Sequence, residues 1–131
     1  MNPNHRNQRE DPNIKEYALR FEEMLTNKEN HFMEEATYES LADYYFLNGK
    51  LELAATACEM GTSNYPNSLQ LQLLRTELHI AKLEFGSALD LLDHVSILNP
   101  SDTEMSFLRG VVLDLLGDHE QAIETFQEIL S

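Results

Sequence analysis

The sequence repeats itself at intervals of 34 residues, and this period constrains the fold more than any other feature. Residues of the same type recur at this spacing: Ala54, Ala88 and Ala122; Pro66 and Pro100; Leu74-Arg75 and Leu108-Arg109. Gly49 and Gly117 lie two periods apart, with Leu83 at the position between them. A fixed period of about 20–50 residues is typical of arrays in which one supersecondary unit is stacked several times.

Each period contains two segments whose apolar residues lie three and four positions apart, which predicts two amphipathic helices. In the first period the predicted inward-facing residues are Tyr38, Leu41, Ala42 and Tyr45, followed by Ala54, Ala55, Ala57, Cys58 and Gly61. Gly49 is predicted to end the first of these helices, because glycine enters the left-handed region without a Cβ clash. No segment alternates polar and apolar residues, so the fold class is all-α.

Local signals set the expected boundaries. Residues 1–12 are polar and predicted to be disordered, and a cap helix is expected over 13–27, with Asp11 as N-cap and Pro12 at its first position. The repeat units are expected at about 35–68, 69–102 and 103–131. In the third unit, Ser101 with Glu104 and Asp118 with Gln121 are predicted capping boxes.

The units resemble the tetratricopeptide repeat, through residues of the first unit and the last. Tyr38, Leu41, Ala42, Tyr45, Gly49, Ala54, Cys58, Gly61 and Pro66 match the family pattern, as do Gly110, Leu113, Gly117, Ala122 and Phe126. The last unit has Ser106 where a large residue belongs. The middle unit departs at Gln72, Thr76, His79 and Leu83. The resemblance implies a right-handed superhelical solenoid of antiparallel helix pairs, with about seven helices.

The sequence ends within the second helix of the third unit. Because repeats bury their apolar faces against neighbours, Val112, Ile123, Phe126 and Ile129 are expected to leave an apolar end partly bare. Two interpretations follow: the chain continues beyond residue 131 in a longer repeat protein, or it caps itself as a homodimer.

Catalytic and metal-binding patterns are weak. Cys58 lies on the predicted buried stripe, whereas a catalytic cysteine needs an exposed, electropositive setting with a nearby histidine. Asp90 and His94 are one helical turn apart and could form half a metal site, but no second pair accompanies them. We therefore expect no catalytic residues, no cofactor and no metal, and the protein is not expected to be an enzyme.

The family resemblance implies that the first helix of each unit lines a peptide-binding groove. Carried onto this sequence, the groove residues are Glu39, Asp43, Phe46, Leu73, Leu74, Glu77, Phe107, Leu108, Val111 and Asp114. None is a lysine or arginine, so a basic or amphipathic peptide or helix is favoured over an acidic one. The alternative is that these apolar residues only pack against one another and the chain is a structural or oligomerisation module.

Charge narrows the range of partners. The chain has 9 Lys and Arg against 23 Asp and Glu, a net charge of −14, which argues against nucleic acid or an anionic membrane as partner. The excess is −4 in residues 1–50 and −10 in residues 51–131. This distribution would steer a cationic partner to residues 51–131. An acidic, solvated surface that keeps the array soluble is the plainer interpretation. The polar start and the short apolar runs lead us to expect a cytoplasmic protein.

Overall fold

The computed structural model describes residues 12–131, and all regular structure in that range is helical. The helices are α1 (Ile14–Asn27), α2 (Glu35–Leu47), α3 (Leu51–Asn64), α4 (Leu69–Ala81), α5 (Phe85–Leu98), α6 (Thr103–Leu115) and α7 (His119–Leu130). Residues 12–131 contain no strand. The all-α prediction is confirmed, and the described part of the chain holds the expected seven helices.

Within residues 12–131, four helices end in a left-handed residue: α1 at Lys28, and three others at positions that follow the sequence period. Residues 49, 83 and 117 have φ values of 75°, 62° and 89°. In each turn the next amide donates to a carbonyl five residues back: Lys50 to Tyr45, Glu84 to His79 and Asp118 to Leu113. Gly49 thus ends α2 in the left-handed conformation, as predicted. Leu83 adopts the same conformation despite the clash that its Cβ makes there.

The start of α1 differs from the prediction. Its N-cap is Asn13, whose carbonyl accepts a 3.0 Å hydrogen bond from the amide of Tyr17. Pro12 therefore precedes the helix and is not its first residue. The helix begins at Ile14, where the buried stripe begins, since Ile14 is 2% exposed. Asp11 and nearly all of the predicted disordered segment lie outside the described residues.

The N-cap of α6 is also one residue from its predicted place. Asp102, and not Ser101, accepts a 2.9 Å hydrogen bond from the amide of Met105. An ionised carboxylate is favoured over a hydroxyl at the positive end of a helix, which accounts for the shift. The predicted cap of α7 is confirmed, since the amide of Gln121 donates to the carboxylate of Asp118 at 3.3 Å.

The described residues form two compact units, 12–71 and 72–131. In the first unit α1 packs on α2, and α2 packs on α3 across the short turn at Gly49. The hydroxyl of Tyr45 donates to Glu22 at 2.8 Å and joins α2 to α1. The amide of Asn64 donates to the hydroxyl of Tyr38 at 3.2 Å and joins α3 to α2.

The predicted core of this first unit is largely confirmed. Its fully buried side chains include Tyr38, Leu41, Ala42, Tyr45, Ala54, Ala57 and Cys58. Ala55 was expected in the same stripe but is only half-buried. Ala54, Ala57 and Cys58 are three and four positions apart and form the buried stripe. Ala55 follows Ala54 directly, so on a helix it lies to one side of that stripe.

In the second unit α6 packs on both α5 and α7. Its core contains Ala88, Leu92, Val95, Met105, Leu108, Val112 and Ala122. Gly110 lets α7 approach closely, because a Cβ at this position would lie 2.7 Å from Cζ of Phe126. The contacts between neighbouring helices in both units fit a helical repeat.

Candidate protein-interaction surface

The predicted groove residues of α2 lie on one face of that helix. Glu39, Asp43 and Phe46 are separated by four and three positions, which places them one above the other. All three are half-buried. This face combines two carboxylates with an aromatic ring, as the sequence predicted, and it lies entirely within the first unit.

Glu39 is held in place from the loop before α4. The hydroxyl of Ser68 donates to Oε2 of Glu39 at 2.9 Å, and Ser68 itself is 3% exposed. Burial raises the pKa of the Glu39 carboxyl; the Ser68 hydrogen bond acts in the opposite direction, and the charge of Glu35 raises the pKa further. Glu39 is therefore a positioned carboxylate whose charge is costly unless a cation or donor compensates it.

The predicted residues of α4 are buried. Leu73 and Leu74 are 2% and 1% exposed, and Glu77 is 9% exposed. As they stand, these side chains offer little surface to a peptide. Whether they contact one remains a prediction.

The predicted residues of α6 divide between two faces. Leu108 is 6% exposed and shares a buried stripe with Met105 and Val112. Phe107, Val111 and Asp114 have the same four-and-three spacing as the α2 trio and lie on another face, where Phe107 and Asp114 are exposed and Val111 is half-buried. The burial of Val112 corrects the expectation that it would be part of a bare apolar end, because its stripe is the one that forms the core of this unit.

A contact between α6 and α7 extends this face in a way that the groove prediction did not include. The rings of Phe107 and Phe126 are tilted by 47° with their centroids 5.9 Å apart. Ile123 and Leu130 lie three and four residues from Phe126 on the same side of α7, and they are 55% and 86% exposed. Their helical spacing is the sequence signal that identifies them.

A second feature of the same unit is a cleft of about 300 Å³. It is lined by Leu89, Asp93, Arg109, Leu113, Gln121, Glu124, Thr125 and Glu128. Nη1 of Arg109 lies 2.7 Å from Oδ1 of Asp93, so the cation of the cleft is already paired across α5 and α6. We assign this cleft no ligand.

Within residues 12–131 no three His, Cys, Asp or Glu side chains are grouped so that they could hold a metal ion. The helices of the same range are all too short or too polar to cross a membrane. Cys58, the side chain considered as a nucleophile, is fully buried.

Comparison with known proteins adds no relative. The chain matches no protein-family model, and no curated protein aligns with it significantly.

Proposed function

We propose that this protein is a non-catalytic interaction module of the tetratricopeptide type. Its helix pairs would stack into a right-handed superhelix and bind a basic or amphipathic peptide or helix through the faces of α2 and α6. The 34-residue period and the matching turns at residues 49, 83 and 117 support this architecture.

The observation that carries the binding proposal is the exposed face of α6. Phe107 and Val111 provide an apolar floor, and the carboxylate of Asp114 lies beside them on the surface. Apolar contact supplies most of the affinity in such an arrangement, while the carboxylate selects against acidic partners. The α2 face repeats this combination with Phe46, Glu39 and Asp43.

Peptide selection on the full chain tests the proposal. Peptides enriched from a random displayed library should be rich in Lys or Arg and in large apolar residues. Their binding should shift the amide resonances of the α2 and α6 faces. Asp114→Lys should weaken binding by about five- to tenfold at low salt. Asp90→Lys makes the same charge change on the exposed surface of α5 and is the matched control.

Three results would contradict the proposal. No peptide is enriched, the enriched peptides are acidic, or the shifted resonances lie away from α2 and α6. If Asp90→Lys and Asp114→Lys weakened peptide binding equally, the effect would come from the net charge of the protein and not from the α6 face.

A second candidate function is favoured by the exposure of Ile123 and Leu130. The chain would then be a structural module whose α7 end packs on further repeats or on a second copy. Sedimentation velocity across a range of protein concentrations distinguishes these roles, because self-association predicts a sedimentation coefficient that rises with concentration.

A further inference from the structure

The apolar surface shared by α6 and α7 adjoins the α6 face through Phe107. We call it the end face, and it consists of Phe107, Ile123, Phe126 and Leu130. Phe107 and Phe126 are in ring contact, and Ile123 and Leu130 flank Phe126 along α7. Only Ala122 is buried among the residues of α7. The helix therefore packs on α6 through a narrow strip and leaves large apolar side chains in water.

Corresponding positions one period earlier are covered. Leu73 and Leu92 stand 34 residues before Phe107 and Phe126, and they are 2% and 1% exposed. Phe107 is 37% exposed and Phe126 is half-buried. The end face is thus the uncovered counterpart of a face that the same sequence pattern buries elsewhere.

The first unit shows what kind of element covers such a face. Cys58 of α3 lies 68 residues before Phe126 of α7 and is fully buried. A Cβ at Gly61, one turn further along α3, would lie 2.7 Å from Cδ1 of Leu71, so the large apolar side chain of Leu71 packs closely on α3 at this position. The element that fits the equivalent surface of α7 is therefore another helix, with a large apolar residue directed at it.

Charge determines which helix fits. The segment from Thr103 to Leu130 carries six carboxylates, one arginine, Arg109, and His119, whose Nδ1 lies 2.6 Å from Oδ1 of Asp114. That guanidinium is bound to Asp93, so it does not offset the acidic surface. A second copy of α7 would bring like charges together, whereas a helix with Lys or Arg beside its apolar stripe would complement them.

We infer that the end face binds an amphipathic helix of a partner protein, with apolar residues three and four positions apart and Lys or Arg along both edges. Its apolar residues cover Ile123, Phe126 and Leu130, as in helix-in-groove recognition. Its cations face Glu120 on α7 and Asp114 on α6, one of whose carboxylate oxygens, Oδ1, already contacts His119. The site shares Phe107 and Asp114 with the α6 face of the proposed function. It needs no residue of α2 and goes beyond that function by assigning the exposed side chains of α7 to a helical partner.

The test uses the full chain and a synthetic helix of about 18 residues, or five turns, built from Leu and Lys with Leu at three-and-four spacing. Two comparison peptides have Glu in place of Lys, or the same composition in a non-amphipathic order. We expect calorimetry to detect binding of the first peptide only. Its affinity should fall by about tenfold in Ile123→Ser and in Leu130→Ser, as expected for the loss of one buried apolar anchor.

Ile97→Ser is the matched control, because Ile97 is a 77% exposed isoleucine on α5, outside the end face. Circular dichroism establishes that each variant is folded. Since Leu130 is 86% exposed at the end of α7, Leu130→Ser keeps the test valid if Ile123→Ser does not fold.

Several results would overturn the inference. The Leu-Lys peptide binds the two end-face variants as tightly as the wild type, the Glu peptide or the reordered peptide binds equally, or none binds. A concentration-dependent dimer that Ile123→Ser dissociates would assign the face to a second copy. Phe46→Ser on α2 separates the two proposals, because it should weaken the library-selected peptides and leave the Leu-Lys peptide unaffected.

Discussion

The ring of Phe126 lies directly against Gly110, where any larger side chain would project. A Cβ at Gly110 would be 2.7 Å from Cζ and 2.8 Å from Cδ1 of that ring. One period earlier the corresponding residues are Thr76 and Leu92, both buried. The smaller Leu92 thus accompanies a residue with a side chain, whereas the larger Phe126 accompanies a glycine. The third unit accommodates phenylalanine by giving up the side chain opposite it.

Gly110→Ala should therefore lower the free energy of unfolding by about 1–3 kcal/mol, the usual cost of overpacking. Phe126→Leu in the same chain should restore part of this loss, because leucine withdraws the ring atoms that the new Cβ meets. Urea denaturation measures both effects.

Gly86→Ala is the control for the change in helix propensity. No atom lies within 4 Å of a Cβ at Gly86, so this variant should be neutral or stabilised by up to about 1 kcal/mol. An equal loss of stability in the Gly86 and Gly110 variants would show that packing against Phe126 is not the cause.

Leu83→Gly should stabilise the protein by about 0.5–1 kcal/mol. Leu83 has a φ of 62° and is 74% exposed. Its left-handed backbone conformation is strained, and its side chain buries too little surface to offset that strain. Glycine removes the strain but loses more backbone entropy on folding, which limits the gain. Thermal unfolding of Leu83→Gly measures it.

The reverse change at Gly49 completes the comparison. Gly49 has a φ of 75° with no atom within 4 Å of a Cβ, so Gly49→Ala isolates the backbone term and should cost about 1–2 kcal/mol. A Gly49→Ala variant that is as stable as the wild type would contradict the interpretation of the turns at residues 49 and 83.

Tyr45→Phe should destabilise the packing of α1 on α2 by about 1–2 kcal/mol. The hydroxyl of Tyr45 is buried and donates to Glu22, and both burial and the Glu22 carboxylate raise the pKa of this phenol. A double-mutant cycle with Glu22→Gln measures the coupling. Additive losses in the double variant would show that the hydrogen bond contributes nothing.

The pH dependence of stability should contain a contribution from Glu39. Because the pKa of its carboxyl is raised above 4.5 in the folded protein, the folded state holds this proton more tightly than the unfolded chain does. The free energy of unfolding should therefore fall as pH rises through the range between the ordinary and the raised value. Glu39→Gln, whose side-chain carbonyl can still accept from Ser68, should remove this decrease and be more stable at neutral pH.

Glu23→Gln removes the same charge from an exposed position on α1 and serves as the comparison. Denaturation curves at a series of pH values should separate the two variants. If the free energies of unfolding of Glu23→Gln and Glu39→Gln depended on pH in the same way, the effect would come from net charge and not from the burial of Glu39.

Sequence reasoning was most reliable where the signal is local. The left-handed turn at Gly49, the cap of α7 at Asp118 and the buried stripe of α2 depend on residues a few positions apart. It failed at Asp102 because two adjacent residues could each cap α6, and the prediction did not weigh the advantage of a carboxylate over a hydroxyl at the positive end of a helix. The faces of α2 and α6 were predicted from the resemblance to the tetratricopeptide repeat. The burial of Leu73 and Leu74 agrees with the alternative that the apolar residues pack against one another, and the burial of Glu77 was not predicted.

The sequence by itself determined that the chain is helical, where its helices lie and which residues share a helical face, because periodicity and turn chemistry act along the chain. Only the tertiary structure decided which faces are covered. Phe107 and Leu73 occupy the same place in their periods, yet one is exposed and the other buried, since burial depends on neighbours that are distant in sequence. The same reason places Phe126 against Gly110 and leaves Ile123 and Leu130 at the surface.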